Sequence, residues 1–110
     1  MEYIIPREQL GPGHLFQGKE YGDVPISFFW VQTQPSQGPR LHVHPYEEVF
    51  VVQEGRATFT LGDTTREVEE GHVVIGPAHV PHKFINSGEG LLKMINIHPG
   101  KEVIQQWLEE

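Results

Sequence analysis

Apolar and polar residues alternate in short runs along most of the chain, broken at about every 8–12 residues by glycine, proline or other turn-forming positions. Such a rhythm predicts an antiparallel sandwich or barrel. Residues 1–24 carry Pro6, Gly11, Pro12, Gly13, Gly18 and Gly22 and read as an arm with at most short strands. Ile26–Thr33 is rich in aromatic and β-branched residues and predicts a strand. Residues 34–39 form a loop, residues 40–44 alternate polar and apolar, and Pro45 ends that run. Strands follow at residues 48–53, 57–61, 65–69, 72–75, 82–85 and 91–97. After Pro99 and Gly100 the period changes. Val103, Ile104, Trp107 and Leu108 fall at i, i+1, i+4 and i+5, the stripe of a short amphipathic helix over residues 100–109.

Composition sharpens this picture. Val and Ile together number 19 against 2 Ala and 7 Leu, which favours strands over helices. The 110 residues match one domain: an arm (1–24), a barrel (25–98) and the terminal helix. A formal charge of −7 excludes a phosphate-tracking nucleic-acid binder and an anionic membrane surface as partners. No apolar run approaches the roughly 18–20 residues of a membrane-spanning helix. The start, MEYIIPREQL, lacks the basic and apolar regions of a secretory signal, so a cytoplasmic location is expected. Zero Cys against seven His removes thiolate chemistry and leaves imidazole and carboxylate as ligands.

His42-Val43-His44 is the sharpest local signal. Alternate residues of a strand share a face about 6.6 Å apart, and two imidazoles at that separation can converge on one metal ion. In a continuous strand Glu48 would lie about 13 Å beyond His44. A bend across Pro45–Glu47 is therefore needed, to return Glu48 beside the two His on a neighbouring strand. Glu48 shares a face with Phe50 and Val52, and burial there is costly for a carboxylate unless it is paired or bound to a cation. Glu47 has the opposite parity and points to solvent. His82, fixed at a strand entry by Pro81, can supply a third imidazole from across the barrel.

At these residues the chain resembles the cupins. The first cupin motif, His-x-His, three or four residues, Glu, six residues, Gly, is matched by His42, His44, Glu48 and Gly55. The second is matched by Gly71, Pro77, His82 and Asn86. Two positions depart from the pattern. Ser36 stands where the first motif opens with glycine, and His79 stands where the second has its internal glycine, a position that calls for an unusual φ.

The resemblance implies a double-stranded β-helix, or jelly-roll barrel. It also implies one divalent metal ion (Fe, Mn, Ni, Zn or Cu) held by His42, His44, Glu48 and His82. It further implies a metal-dependent enzyme acting on a small organic substrate, with dioxygenase-like chemistry ahead of isomerase or cyclase. The alternative is a non-catalytic small-molecule binding or sensing module. His79 is a candidate for acid–base work and Arg40 for holding an anionic substrate at the pocket mouth. His14, His72 and His98 read as histidines without chemistry. Phe50, Phe59, Phe84 and Met94 read as barrel filling, whereas Phe28 and Trp30 fit either a pocket wall or a subunit interface. A homodimer is expected, with the arm and the Trp107 helix as its contacts.

Overall fold

In the computed structural model, which describes residues 3–109, the alternation becomes ten strands in two facing antiparallel sheets. In chain order they are β1 (Leu15–Gln17), β2 (Ile26–Thr33), β3 (His42–Val43), β4 (Glu48–Glu54), β5 (Arg56–Leu61), β6 (Thr64–Glu69), β7 (Val73–Gly76), β8 (His82–Asn86), β9 (Leu92–Pro99) and β10 (Gln106–Trp107). The first sheet runs β1-β2-β9-β4-β7 and the second β10-β3-β8-β5-β6. Consecutive strands therefore often sit in different sheets, as in a jelly-roll. Three short 3-10 turns complete the arm, and no α-helix occurs among the described residues.

The core lies between the sheets, where period-two alternation delivers Phe50 and Val52 from β4, Leu92 and Met94 from β9, Ala57 and Phe59 from β5, and Phe84 from β8. Truncating a ring buried as deeply as Phe59 would cost about 3–5 kcal/mol. The two outer faces differ. That of the second sheet is polar, with Arg56, Thr58 and Thr60 against Glu67, Glu69 and Lys83. That of the first is apolar: Val49 and Val51 lie beside Val73 and Ile75 on one side and Ile95 and Ile97 on the other.

The predicted terminal helix does not form. Gln106 and Trp107 pair instead with Val43 and His42. The Leu108 N–H donates to the Leu41 carbonyl at 2.9 Å, and the Leu41 N–H donates to Glu109 Oε1 at 2.9 Å. A ten-residue helix is marginal on its own. An extended segment satisfies the open edge of β3, whose unpaired backbone groups would otherwise face water. The arm is likewise held within its own chain, through β1 on β2 and the Lys19 N–H donating to the Lys101 carbonyl at 3.0 Å.

Candidate metal centre

Four residues named from the sequence converge. His42, His44, Glu48 and His82 are all buried, and one ligating atom of each lies within 4.8 Å of the others. The route differs from the expected one in two ways. The bend after Pro45 carries the chain into the opposite sheet, so Glu48 faces the histidines instead of sitting on a neighbouring strand. His82 does not come from across the barrel but pairs directly with His42 on the adjacent strand of the same sheet.

Each of the three imidazoles has its Nδ1 beside a backbone carbonyl: His42 at 2.7 Å from Arg40, His44 at 2.8 Å from Ile104, His82 at 3.1 Å from Val80. A carbonyl only accepts, so each Nδ1 carries the hydrogen and each Nε2 keeps its lone pair. Nε2 of His44 and of His82 both lie 3.0 Å from Glu48 Oε1, and His44 Nε2 is buried without a hydrogen-bond partner. Lone pairs facing a carboxylate at that distance repel unless a cation lies between them. The donor set thus fits a metal ion, and nitrogen with oxygen suits a first-row divalent one. Burial pushes the His42 imidazolium down to about 4, against the backbone bond to Arg40, so the ring is neutral near pH 7. For Glu48, burial raises the carboxyl, and imidazole hydrogens turned toward it or a bound cation are what keep it ionised there.

His98, read from the sequence as outside the chemistry, is part of this centre. It is 1 % exposed, and its Nε2 stands 3.0 Å from Glu48 Oε2. Its Nδ1 lies 2.7 Å from the Tyr46 hydroxyl, which accepts the Ile104 N–H at 3.0 Å. With Tyr46 giving its own proton to Nδ1, the hydrogen of His98 sits on Nε2, close to Glu48 Oε2 but not aligned on it as a hydrogen bond, a tautomer opposite to that of the other three rings. The signal for His98 was available: Met94 was read as interior, and period two carries that face through Asn96 to His98. The Ile104 peptide serves both ends of the centre, its carbonyl holding His44 and its N–H holding Tyr46.

The remaining candidates lie apart. His79 is exposed and meets the centre only through its backbone, its N–H donating to the His44 carbonyl at 2.9 Å. Its φ of +63° is the left-handed conformation of the glycine it replaces, and Ser36 keeps the same habit at +71°. Arg40 is exposed with its guanidinium 4.7 Å from the Trp107 ring centre, where it does not line the cavity over the centre. Glu47 is exposed, as expected, and His72 is exposed with Nδ1 on the Glu69 carbonyl.

A cavity of about 400 Å³ opens above His42, Glu48 and His98, lined by residues 29–33 of β2 and by Trp107 of the terminal strand β10. Rings press on the centre from its walls. Phe29 is 5.6 Å from His98, Trp107 is 5.1 Å from His42, and Phe50 is 5.8 Å from His82. His14, from the arm, reaches the mouth, and Trp30 is also among the lining residues.

Comparison with known proteins agrees with this architecture. A family model described as a cupin domain matches residues 29–98. An uncharacterized protein of Streptomyces coelicolor is 40% identical over 67 residues, 61% of this chain and 60% of the relative. One from Methanocaldococcus jannaschii is 38% identical over 56 residues, 50% of this chain and 45% of the relative. The chain thus spans three fifths or less of the curated relatives it matches. Among solved structures, an oxalate decarboxylase from Lactobacillus farciminis in complex with formate superposes with a TM-score of 0.77 at 23% identity, covering 86% of this chain and 30% of that one. A double-stranded β-helix protein from Klebsiella pneumoniae gives 0.76 at 17% identity, covering 98% and 87%. Bacillus subtilis oxalate decarboxylase, studied for its Mn(II) centres, gives 0.78 at 21%, covering 86% and 27%. At these identities the structures attest the fold.

Proposed function

This chain belongs to the cupin family, and on that premise we propose that His42, His44, Glu48 and His82 hold one divalent metal ion and that the protein is a metal-dependent enzyme for a small organic substrate, dioxygenase-like ahead of isomerase or cyclase. One observation carries the reading: three buried imidazoles keep their Nε2 lone pairs free, two of them 3.0 Å from one oxygen of Glu48, with the ligating atoms of all four residues within 4.8 Å of one another. Manganese in a cupin-fold neighbour supports a first-row ion. When bound, such an ion supplies Lewis acidity and, if it is iron, manganese or copper, a redox couple for dioxygen. The chain's own part is to fix the tautomers of His42, His44 and His82. It also steadies the Glu48 carboxylate from behind through His98 and covers the centre with aromatic walls that keep bulk water away. The expected homodimer belongs to the same proposal, with the apolar strip of Val49, Val51, Val73, Ile75, Ile95 and Ile97 on the outer face of the first sheet meeting its own copy, since such a strip needs no charge pairing to be self-complementary.

The test is metal analysis of protein purified without a histidine tag, followed by dioxygen uptake with catechols, flavonols and 1,3-diketones. Stoichiometric metal with substrate-dependent uptake is the expected result. Metal without turnover of any kind would leave a binding or sensing module, and no stoichiometric metal would end the reading. Glu48→Gln should lower metal retention about 10-fold or more, and unchanged occupancy would remove Glu48 from the ligand set.

A further inference from the structure

Among the described residues, none lining the cavity is Lys or Arg. Apart from the centre's own His42, Glu48 and His98, the titratable lining residue is His14 at the mouth. The two guanidiniums near it are engaged on indole faces, Arg7 over Trp30 at 5.6 Å and Arg40 over Trp107 at 4.7 Å, and neither lines the space. The chain as a whole is negative by 7 charges. A small dianion entering here would therefore lose its hydration and find no fixed cation on the walls, and an ion held at the floor, offset by the Glu48 carboxylate, leaves one net positive charge against its two. The interior instead presents the faces and edges of Phe29, Phe50, Phe84 and Trp107 with Val31 and Pro39. About 400 Å³ lies within the range of roughly 300–1,000 Å³ typical of small-molecule sites.

Outside the metal centre, the one buried polar side chain among the described lining residues is Asn96. Asn96 on β9 pairs with Phe29 on one side and Phe50 on the other, so its carboxamide sits between their two rings on the inner face. It is 4% exposed, it lines the cavity, and its Oδ1 has no hydrogen-bond partner. A buried acceptor left unpaired is costly, and a ligand hydroxyl placed between the rings would relieve it.

We infer that the cavity takes an uncharged aromatic molecule bearing a hydroxyl group, stacked among Phe29, Phe50 and Trp107 with the hydroxyl on Asn96. The inference rests on the metal reading for what lies beneath the ligand, and on the walls for the ligand's class. It separates this cavity from the oxalate named for its structural neighbours.

The test titrates the whole chain, as purified and with its metal content measured alongside, with 2-naphthol, naphthalene and oxalate by calorimetry. The expected order is 2-naphthol tightest, naphthalene about fivefold weaker for want of one hydrogen bond, and oxalate weakest. Asn96→Leu should erase the difference between 2-naphthol and naphthalene. Gln105→Arg, a substitution at an exposed lining residue, should strengthen oxalate at least fivefold by adding the missing cation. Oxalate binding tighter than 2-naphthol in the native chain, or no aromatic binding at all, overturns the inference. A hydroxyl preference that survives Asn96→Leu overturns the assignment of Asn96. Metal content is read independently, so absence of metal with the aromatic order intact would sink the metal reading and spare the wall chemistry.

Discussion

His79 and Ser36 hold left-handed backbone, φ +63° and +71°, where the cupin motifs place glycine. A side chain in that conformation carries strain of about 1 kcal/mol or more. Neither side chain is part of the metal centre, so His79→Gly and Ser36→Gly should each raise stability by about 0.5–1 kcal/mol, seen as a rise of a few degrees in Tm. A fall in Tm for His79→Gly would mean that the imidazole holds something the backbone does not. His42 makes the opposite kind of demand. Its folded-state pKa is lowered to about 4 from 6.5, so the fold favours the neutral ring. The stability this gives the metal-free chain is fully present above pH 6.5 and is lost as pH falls from 6.5 to 4. Urea midpoints of the metal-free chain should therefore drop between pH 7 and 4.5, and a flat profile would contradict a buried neutral His42.

At the scale of elements, the terminal strand is the part that sequence reading missed, and the reason is physical. The spacing of Val103, Ile104, Trp107 and Leu108 fits a helix stripe, but the partner that overrides it is the open edge of β3, far away in sequence. Period-two alternation, by contrast, is local, and it placed His42, His44, Glu48 and His82 correctly on inward faces. Carried two inward positions beyond Met94 along β9, it would have placed His98 as well. What it does not encode is which sheet each strand enters, hence the reversed expectations for Glu48 and His82. Tyr46, on the bend between β3 and β4, ties these elements together through one hydroxyl. Tyr46→Phe removes the link from Ile104 to His98 while keeping the ring stacked 5.2 Å from His44. Metal affinity should fall about 10-fold by competition with a chromophoric chelator, with stability reduced by about 1–2 kcal/mol. Full affinity in this variant would show that His98 needs no outer support.

For the molecule as a whole, the contrast between the two outer faces makes a prediction about association. Val73 and Ile75, 63% and 59% exposed on edge strand β7, extend the apolar face to the rim of the first sheet. The double variant Val73→Lys, Ile75→Lys should convert a dimer to a monomer in light scattering after size exclusion, with Tm little changed. A native chain that is monomeric at high concentration would refute the dimer directly. No helix among the described residues is long and apolar enough to cross a membrane. The Ile104 peptide, finally, sets an order in time. Ribosomes deliver the chain from its N-terminus, and domains begin to fold as they emerge. A nascent chain finished through His98 holds all four residues proposed as ligands, yet His44 lacks its acceptor and Tyr46 its donor until Ile104 arrives. The centre is therefore completed last, and an ion captured earlier during synthesis would meet a His44 whose tautomer is not yet set.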